Sequence, residues 1–340
     1  MPRKSVKEDL ARVIRGDTPA APLLMPVALD QIAAREAGFS YRQYSNESDA
    51  AVAAWNFVIE KYDLDAALIF IDDYFEYEAF GIELTDELND PKAARKHVPA
   101  EQDWFDNARL PTFKEARFPM RMELVKRLKD KWGDSLLVGV SVAAPFTGVN
   151  LLYGIPEAML LFYEDEELLR NSIKLTAELS VECSRLLIKS GADMIWYGDC
   201  AASSRFIDLG KFDDYAFDIT KDSIKQIKEF GGTVVYHAGE KAIPFIKRTS
   251  ELGCDIISCA EKADICALYD AAAENCCVMG NLDPIIDIMN GNPGSIDKLV
   301  RDQRLLMVDR KRYIMNTGEG ITEATPLENV DALFSALRRM

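Results

Sequence analysis

Short apolar runs bounded by turn residues alternate with longer segments of helical spacing along most of the chain. Runs of this length between turn signals are typical of buried strands. The runs predicted as strands are Ala21–Leu29, Ala66–Ile71, Leu136–Ala143, Ala192–Tyr197, Thr233–Tyr236, Cys254–Ser258, Cys277–Met279 and Tyr313–Met315. Each is followed by a helical pattern, and an amphipathic helix is predicted ahead of the first strand.

The alternation of strands and helices predicts an α/β fold with parallel strands joined by right-handed crossovers. Eight such units close most naturally into a (β/α)8 TIM barrel, although an open doubly wound sheet would alternate in the same way. The 340 residues suit one barrel, and no linker divides the chain. We therefore predict a single barrel domain over residues 1–340 with an N-terminal helical extension.

Charge and composition narrow the classes of partner. The net charge of -16 and pI near 4.7 argue against nucleic acid, because phosphate binding requires a basic surface. No apolar run approaches the roughly 20 residues of a membrane span, and the amino terminus is charged where a signal peptide is apolar. Seven cysteines without a CxxC pair read mainly as reduced core thiols. A cytoplasmic protein is expected.

The ends of the predicted strands carry the candidate chemistry, because the active site of such a barrel lies at the carboxyl ends of its strands. The residues placed there are Asp72, Asp73, Phe146, Asp199, Cys200, His237, Asn281, Asp283 and Glu319. Carboxylates and one imidazole around an apolar cavity suit acid–base chemistry or metal binding. Structural alternatives stay open: Asp199 could cap a helix, Asp283 could fix the turn before Pro284, and His237 could be a core residue.

Four motifs together resemble the uroporphyrinogen decarboxylase superfamily. They are IFIDDYFEYEAFG at residues 69–81, APFTG at 144–148, GNLDP at 280–284 and ATPLENVDAL at 324–333. The resemblance covers nearly the whole chain and implies a (β/α)8 barrel. The superfamily contains the decarboxylases and cobalamin-dependent methyltransferases, including methylcobamide:coenzyme M methyltransferases and demethylase components of anaerobes.

The chain departs from the decarboxylases at several positions. Their early arginine-rich motif corresponds to a stretch with only Arg35, although their essential aspartate aligns with Asp72. Their loop tyrosine, their serine and their late histidine appear here as Leu151, Cys200 and Glu319. A mouth rich in acids would also receive a substrate with many carboxylates poorly.

The stretches APFTGVNLLYG and GDCAASS resemble the methyltransferase branch better. In its thiol-activating members, the resemblance implies zinc bound by a His-x-Cys motif after strand five and a cysteine after strand eight. Here His237 remains, while Gly239 and Glu319 stand where the cysteines would be. His237 with Glu319 is a harder donor set that would suit an oxygen- or nitrogen-bearing substrate, with zinc as a candidate cofactor.

The resemblance therefore implies a methyltransferase that moves a methyl group between a small O- or N-methylated substrate and cobalamin. The chain lacks a DxHxxG-type corrinoid motif, so a separate corrinoid protein is the expected partner. The predicted catalytic residues are Asp72, Asp199, His237 and Glu319, and the predicted substrate contacts are Phe146, Leu151, Cys200, Asn281 and Asp283. The alternatives are a metal-free decarboxylase or lyase acting on a smaller acid and a barrel that has lost its site. A homodimer is compatible with each.

Overall fold

The structure is a computed structural model that describes residues 5–20 and 22–339. Its strands are β1 (Ala66–Ile69), β2 (Glu83–Leu84), β3 (Ala94–Lys96), β4 (Leu137–Ala143), β5 (Met194–Gly198), β6 (Thr233–His237), β7 (Ile256–Ser258), β8 (Cys277–Leu282) and β9 (Tyr313–Thr317). Its α-helices are α1 (Val6–Arg15), α2 (Asp30–Glu36), α3 (Tyr41–Asn46), α4 (Ser48–Tyr62), α5 (Gln102–Asn107), α6 (Phe118–Trp132), α7 (Pro145–Tyr153), α8 (Ile155–Glu164), α9 (Glu166–Lys189), α10 (Leu209–Lys211), α11 (Asp218–Glu229), α12 (Ile243–Ser250), α13 (Ile265–Ala272), α14 (Pro293–Met307) and α15 (Leu327–Arg338).

Strands β1 and β4 to β9 form one parallel sheet in chain order, as the predicted α/β alternation requires. The short strands β2 and β3 pair antiparallel outside this sheet. The register aligns Gly198 with His237 and His237 with Ser258, so the carboxyl ends of the strands meet at one edge. This arrangement is the one that gathers the strand-end residues at a single mouth.

The predicted first strand, Ala21–Leu29, does not join the sheet, so the prediction of eight strands was wrong by one. Ala21 lies outside the described residues, and the rest of the segment forms no strand pairing. Instead Asp65 N donates to Leu24 O at 3.0 Å, and Leu24 N donates to Asp65 Oδ2 at 2.8 Å. On the other side, Asn316 of β9 donates to Met25 O. The segment therefore lies between β1 and β9, and its two prolines, which lack an N–H, explain why no ladder forms.

Alternate side chains of each strand enter two separate hydrophobic clusters, because side chains of a strand point to opposite faces in turn. The inner cluster includes Trp196 of β5 and Val235 of β6. The outer cluster, between the sheet and the helices, includes Tyr197 and Tyr236 of the same two strands. By this alternation His237 continues the inner series, whereas Asp199 continues the outer series.

The predicted N-terminal helix is present as α1, and its apolar side chains Val6, Leu10 and Val13 pack into the inner cluster. Capping by Ser5 and the left-handed Gly16 defines its two ends. Among the described residues, every helix is too short or too polar to cross a membrane.

Candidate active site

A cavity of about 260 Å³ opens among the carboxyl ends of the strands. Its apolar wall includes Val27, Phe70, Leu151 and Trp196, and its ionisable side chains are Asp72, Asp73, Glu76, Cys200, His237 and Glu319. Small-molecule sites usually enclose about 300 to 1,000 Å³, so this cavity suits a small ligand. A barrel that has lost its site would have its mouth filled by side chains. The described residues leave an open cavity there instead.

His237 lies at the end of β6 and is 4% exposed. Its Nδ1 is 3.0 Å from Ser258 Oγ, and its Nε2 is 3.3 Å from Glu319 Oε1. Burial pushes the pKa of His237 down, but the neighbouring Cys200 and Glu319 outweigh it and raise the pKa to about 10. The imidazole is therefore held as a cation that can release a proton into the cavity.

Glu319 follows β9 and completes this ion pair. Burial alone would raise the pKa of Glu319, but the hydrogen bond and charge of His237, with Arg205 nearby, lower it. The side chain is 43% exposed, so one side of the pair is in contact with solvent at the mouth. Ser258 therefore orients the histidine of the pair, and solvent can reach the carboxylate of Glu319.

The described residues do not fit the zinc site that the resemblance made a candidate. A Cβ built on Gly239 would lie 3.2 Å from Glu319 Oε1 and 3.9 Å from His237 Nε2, so position 239 does adjoin both candidate ligands. Glycine supplies no donor, however, and catalytic zinc usually takes three protein ligands. Within the residues that the structure covers, no group of three His, Cys, Asp or Glu side chains converges to hold a metal. His237 and Glu319 instead form an ion pair with each other.

Asp72 lines the cavity, but its carboxylate is held from behind by Arg117. Its side chain is fully buried, and Arg117 binds both carboxylate oxygens, at 2.6 Å and 3.2 Å. Tyr74 N adds a third hydrogen bond at 3.0 Å. A carboxylate whose two oxygens are both bound by one arginine is held in a fixed orientation, so Asp72 is poorly placed to contact a substrate.

Asp73, one residue later, is the carboxylate that faces the cavity. It is exposed there, and among the described residues it makes no hydrogen bond or ion pair. Partial desolvation by the surrounding wall, followed by the charges of Asp72 and Glu319, raises the pKa of Asp73. Both aspartates were predicted at the mouth, and only Asp72 was predicted to be catalytic. The geometry favours Asp73 for contact with a ligand.

The turn that separates these two aspartates from β1 is unusual. Ile71 has a φ of +54°, a left-handed conformation that β-branched residues rarely adopt. The buried carboxylate of Asp30 accepts the backbone N–H groups of Phe70, at 3.2 Å, and of Ile71, at 3.1 Å. Tyr41 donates to Ile71 O. This network fixes the strand end that delivers Asp72 and Asp73.

Two buried arginines behind the cavity were missed by the sequence reasoning. Arg121 Nη1 lies 2.6 Å from Glu76 Oε1, and the guanidinium groups of Arg117 and Arg121 lie 4.7 and 4.8 Å from the ring of Phe75. Asp72 and Glu76 are four residues apart, as are Arg117 and Arg121. This equal spacing is the sequence feature that could have suggested two parallel ion pairs. The two pairs offset the charges of Asp72 and Glu76, which are two of the four acidic side chains on the cavity.

Asp199 is fully buried on the outer side of the sheet and does not line the cavity. It accepts hydrogen bonds from Thr147 N at 3.2 Å, Thr147 Oγ1 at 3.1 Å and Tyr236 Oη at 3.1 Å. Burial raises the pKa of Asp199 to about 6 against these hydrogen bonds. Its contacts fix the start of α7, which makes it a positioning residue.

The predicted substrate contacts divide in the same way. Leu151 and Cys200 line the cavity, and Cys200 is exposed there. Phe146 is buried and packs against Phe162, with ring centroids 5.9 Å apart, and so lies behind the wall.

Asn281 and Asp283 also lie away from the cavity. Asn281 Nδ2 donates to Ala260 O at 2.9 Å and to Ala263 O at 3.0 Å. Asp283 caps the helical turn after β8 by accepting two backbone N–H groups at 2.8 Å, and Lys262 lies 3.1 Å from it. Both residues fix loops around the mouth, in agreement with the structural alternative for Asp283.

The fold and the cavity together define a class: an α/β protein of the TIM-barrel type with a proton-carrying site at the carboxyl ends of its strands. The uroporphyrinogen decarboxylase (URO-D) family profile matches residues 5–340, and the chain belongs to this family. The resemblance noted in its sequence motifs is thereby confirmed.

Similar proteins include members of both branches of the family. The chain is 24% identical over 259 residues to the methylcobamide:CoM methyltransferase MtbA of Methanosarcina acetivorans, covering 76% of this chain and 75% of that protein. It is 25% identical over 312 residues to uroporphyrinogen decarboxylase of Synechococcus sp. (strain CC9902), covering 87% and 84%. A solved methyltransferase from Methanosarcina mazei has the same fold, with a TM-score of 0.89, 18% identity and 99% of each chain covered.

Proposed function

We propose that this protein is a methyltransferase that moves a methyl group between a small O- or N-methylated substrate and cobalamin carried by a separate corrinoid protein. The observation that carries the proposal is the ion pair between the buried His237 and the partly exposed Glu319, which faces a small cavity with an apolar wall. The similarity to a methylcobamide:CoM methyltransferase supports the corrinoid as the second reactant.

The corrinoid supplies a nucleophilic metal that accepts or returns the methyl group. The residues of the chain have to hold the substrate and to place a proton on the atom that loses its methyl group. As the bond from the methyl carbon to that atom breaks, the bonding electron pair stays on the heteroatom. His237 Nε2 donates its proton there, and Glu319 stabilises the imidazolium before transfer.

Asp72 and Asp199 act through other groups in this proposal. The first, locked to Arg117, shapes the wall beside Asp73, and the second anchors the helix that carries Leu151. A catalytic proton donor has to be within reach of the substrate. His237 and Asp73, both on the cavity wall, satisfy that condition.

Uroporphyrinogen is a poor substrate for this cavity. A cyclic tetrapyrrole needs much more room than about 260 Å³. Arg35, the arginine nearest to the decarboxylases' carboxylate-binding motif, donates instead to Thr325 O at 3.2 Å. Both observations favour the methyltransferase branch.

The test is methyl transfer to cob(I)alamin, followed by the change in its visible spectrum, with the protein, its cognate corrinoid protein and a panel of methyl donors. The panel contains methoxylated compounds, methylamines and a thioether. We expect transfer from at least one oxygen or nitrogen donor and none from the thioether. Failure with every donor in the presence of an active corrinoid protein would reject the proposal.

A decarboxylase or lyase acting on a smaller acid is the second candidate, and Asp73 favours it. An unpaired carboxylate with a raised pKa and a protonated histidine on the same cavity provide two proton donors for a carbanion formed by loss of CO₂. Release of labelled CO₂ from a small acid without any corrinoid, abolished in Asp73→Asn, would select this function over methyl transfer.

A further inference from the structure

We infer that the end of α14 is the contact surface of a homodimer, in which a second copy of the chain packs antiparallel on the same surface. This α14 surface consists of the row Arg301, Leu305 and Asp309, with Leu306 and Val308 beside it. None of the five lines the cavity, and the inference does not depend on the proposed reaction.

The α14 surface has an aliphatic centre that is open to solvent. Leu305 is 72% exposed, Leu306 52% and Val308 69%. On the opposite face of the helix, Val300 and Met307 are buried and already anchor α14 to the rest of the protein. Single exposed apolar residues are ordinary, whereas adjacent ones form a patch of the kind that marks a contact with another molecule.

Charges at the two ends of the row identify that molecule as a second copy. Val308 keeps helical backbone angles, with φ at -58° and ψ at -36°, so positions 301, 305 and 309 lie along one face. The row is therefore basic at one end, aliphatic in the middle and acidic at the other end. In a two-fold interface, residue i of one copy contacts residue j of the other, and j contacts i. Arg301 of each copy then faces Asp309 of the other, with Leu305 of both copies at the centre.

Both charges are available for this pairing. Arg301 is exposed and has only a surface partner, Asp297, at 3.2 Å one turn earlier in the same helix. Asp309 is exposed and has no ion-pair partner within the part of the chain that the structure describes. Exposed ion pairs contribute little to the stability of one chain, so the partner of Arg301 can change at small cost.

Helix packing rules accommodate the contact. Residues four positions apart form the ridges that interdigitate in the commonest class of helix pair, in which the axes cross at about 50°. Two such rows, 301–305–309 from each copy, can lie side by side in opposite directions. Leu306 and Val308 belong to the neighbouring rows on either side, so they would cover Leu305 and help to exclude water from the centre.

The α14 surface lies at the end of the molecule opposite to the mouth. Helix α14 starts after the carboxyl end of β8 and ends ahead of the amino end of β9. Shortly after its last turn, Arg312 O accepts Val278 N at 2.9 Å near the start of β8. A dimer formed here therefore leaves both mouths open to a substrate and to a partner protein.

Sedimentation velocity of the full chain over a range of concentrations tests the inference. The aliphatic patch is small, so we expect a weak dimer with a dissociation constant in the micromolar range. Leu305→Asp places a carboxylate at the centre and should weaken the dimer at least about tenfold, because an unpaired charge in an interface is costly. Leu160→Asp, at a half-exposed leucine of α8, is the matched control and should leave the dimer unchanged.

Charge reversals test the antiparallel arrangement. Arg301→Asp sets two acids opposite each other across the interface, and Asp309→Arg sets two arginines opposite each other. Each variant should therefore weaken its own homodimer about tenfold. An equimolar mixture of the two variants should form a dimer close to wild-type strength, because each copy then supplies the charge that the other lacks. Circular dichroism should show unchanged folding, since both positions are exposed.

Four outcomes would overturn the inference. A wild type that stays monomeric at every concentration would show that no homodimer forms. A dimer that persists in Leu305→Asp would place the contact elsewhere on the molecule. Loss of the dimer in both charge variants without recovery in their mixture would reject the antiparallel contact of the row. A monomeric wild type whose binding to the corrinoid protein is lost in Leu305→Asp would assign the α14 surface to that partner instead.

Discussion

The two sides of the mouth hold their carboxylates with different cations. On the β1 side, Asp72 and Glu76 each lie 2.6 Å from a buried arginine of the α6 region. On the opposite side, Glu319 lies 3.3 Å from His237, and the histidine is held in turn by Ser258. The four side chains of the two arginine pairs are buried, whereas the carboxylate of Glu319 is 43% exposed.

The difference separates fixed charge from mobile protons. Arginine keeps its proton at every accessible pH, and its two-pronged guanidinium holds a carboxylate in a fixed position, so these pairs serve packing and shape. Histidine, unlike arginine, can pass its proton to a substrate, so an ion pair of His237 and Glu319 can act as a proton source. In the proposed reaction, the arginine pairs of the β1 side shape the cavity and His237 supplies the proton.

Removing a buried arginine should have the largest effect. Arg117→Met leaves Asp72 buried and uncompensated, which typically costs about 3 to 5 kcal/mol. The free energy of unfolding from urea titration measures this loss. Arg127→Met, in the helix α6 that Arg117 precedes, is the matched control: its partner Asp49 is solvent-exposed, and the cost should stay below about 1 kcal/mol. Equal losses in both variants would show that the β1 side is not held by its buried charge.

The proton donor should dominate activity rather than stability. His237→Gln removes the acid, and we expect methyl transfer to fall about 10² to 10³-fold, within the usual range for a general acid. The other histidine is the control: His97 Nδ1 lies 3.0 Å from Leu151 O, and glutamine can donate to the same oxygen. His97→Gln should retain activity within a few-fold. A similar loss of activity in His237→Gln and His97→Gln would contradict the assignment of His237 as the proton donor.

The pH dependence of stability should distinguish the two sides further. The pKa of His237 is about 10 in the fold and 6.5 without it, so its pairing stabilises the fold fully below pH 6.5. That stabilisation is lost as the pH rises toward 10. Because Glu319 is partly exposed and screened, we expect only about 1 to 2 kcal/mol. Unfolding free energies of wild type and His237→Gln should converge between pH 7 and pH 10; a constant difference would contradict the pairing.

The sequence could have revealed which strand-end side chains point to the inner face of the sheet, because side chains alternate along a strand. Counting in twos from Trp196 and Val235, which are inner residues, places His237 inside and Asp199 outside. Both were selected from their position at strand ends alone, and the alternation would have separated them. The alternation of strands and helices, by contrast, predicted the parallel sheet directly.

Long-range pairing and backbone conformation were beyond the sequence. No local pattern indicates that Arg117 reaches back 45 residues to Asp72, because that contact depends on the tertiary packing of the α6 region. The left-handed Ile71 also gives no signal, since isoleucine disfavours that conformation and tertiary contacts to Asp30 impose it. The eighth strand was predicted because the segment 21–29 is apolar. Its two prolines, which cannot donate to a strand ladder, were given too little weight.

The smallest effect should come from the neutral group behind the histidine. Ser258→Ala removes the hydroxyl 3.0 Å from His237 Nδ1 and should cost about 1 kcal/mol of stability, as for a typical hydrogen bond. Activity should fall by less than about tenfold, because Glu319 still orients the ring through Nε2. Ser258→Thr restores the hydroxyl and should recover most of the loss, measured by transfer rate and urea unfolding. A loss in Ser258→Ala as large as that in His237→Gln would mean that the proton moves through Nδ1 and Ser258, and would reverse the direction of proton flow assigned to this side of the mouth.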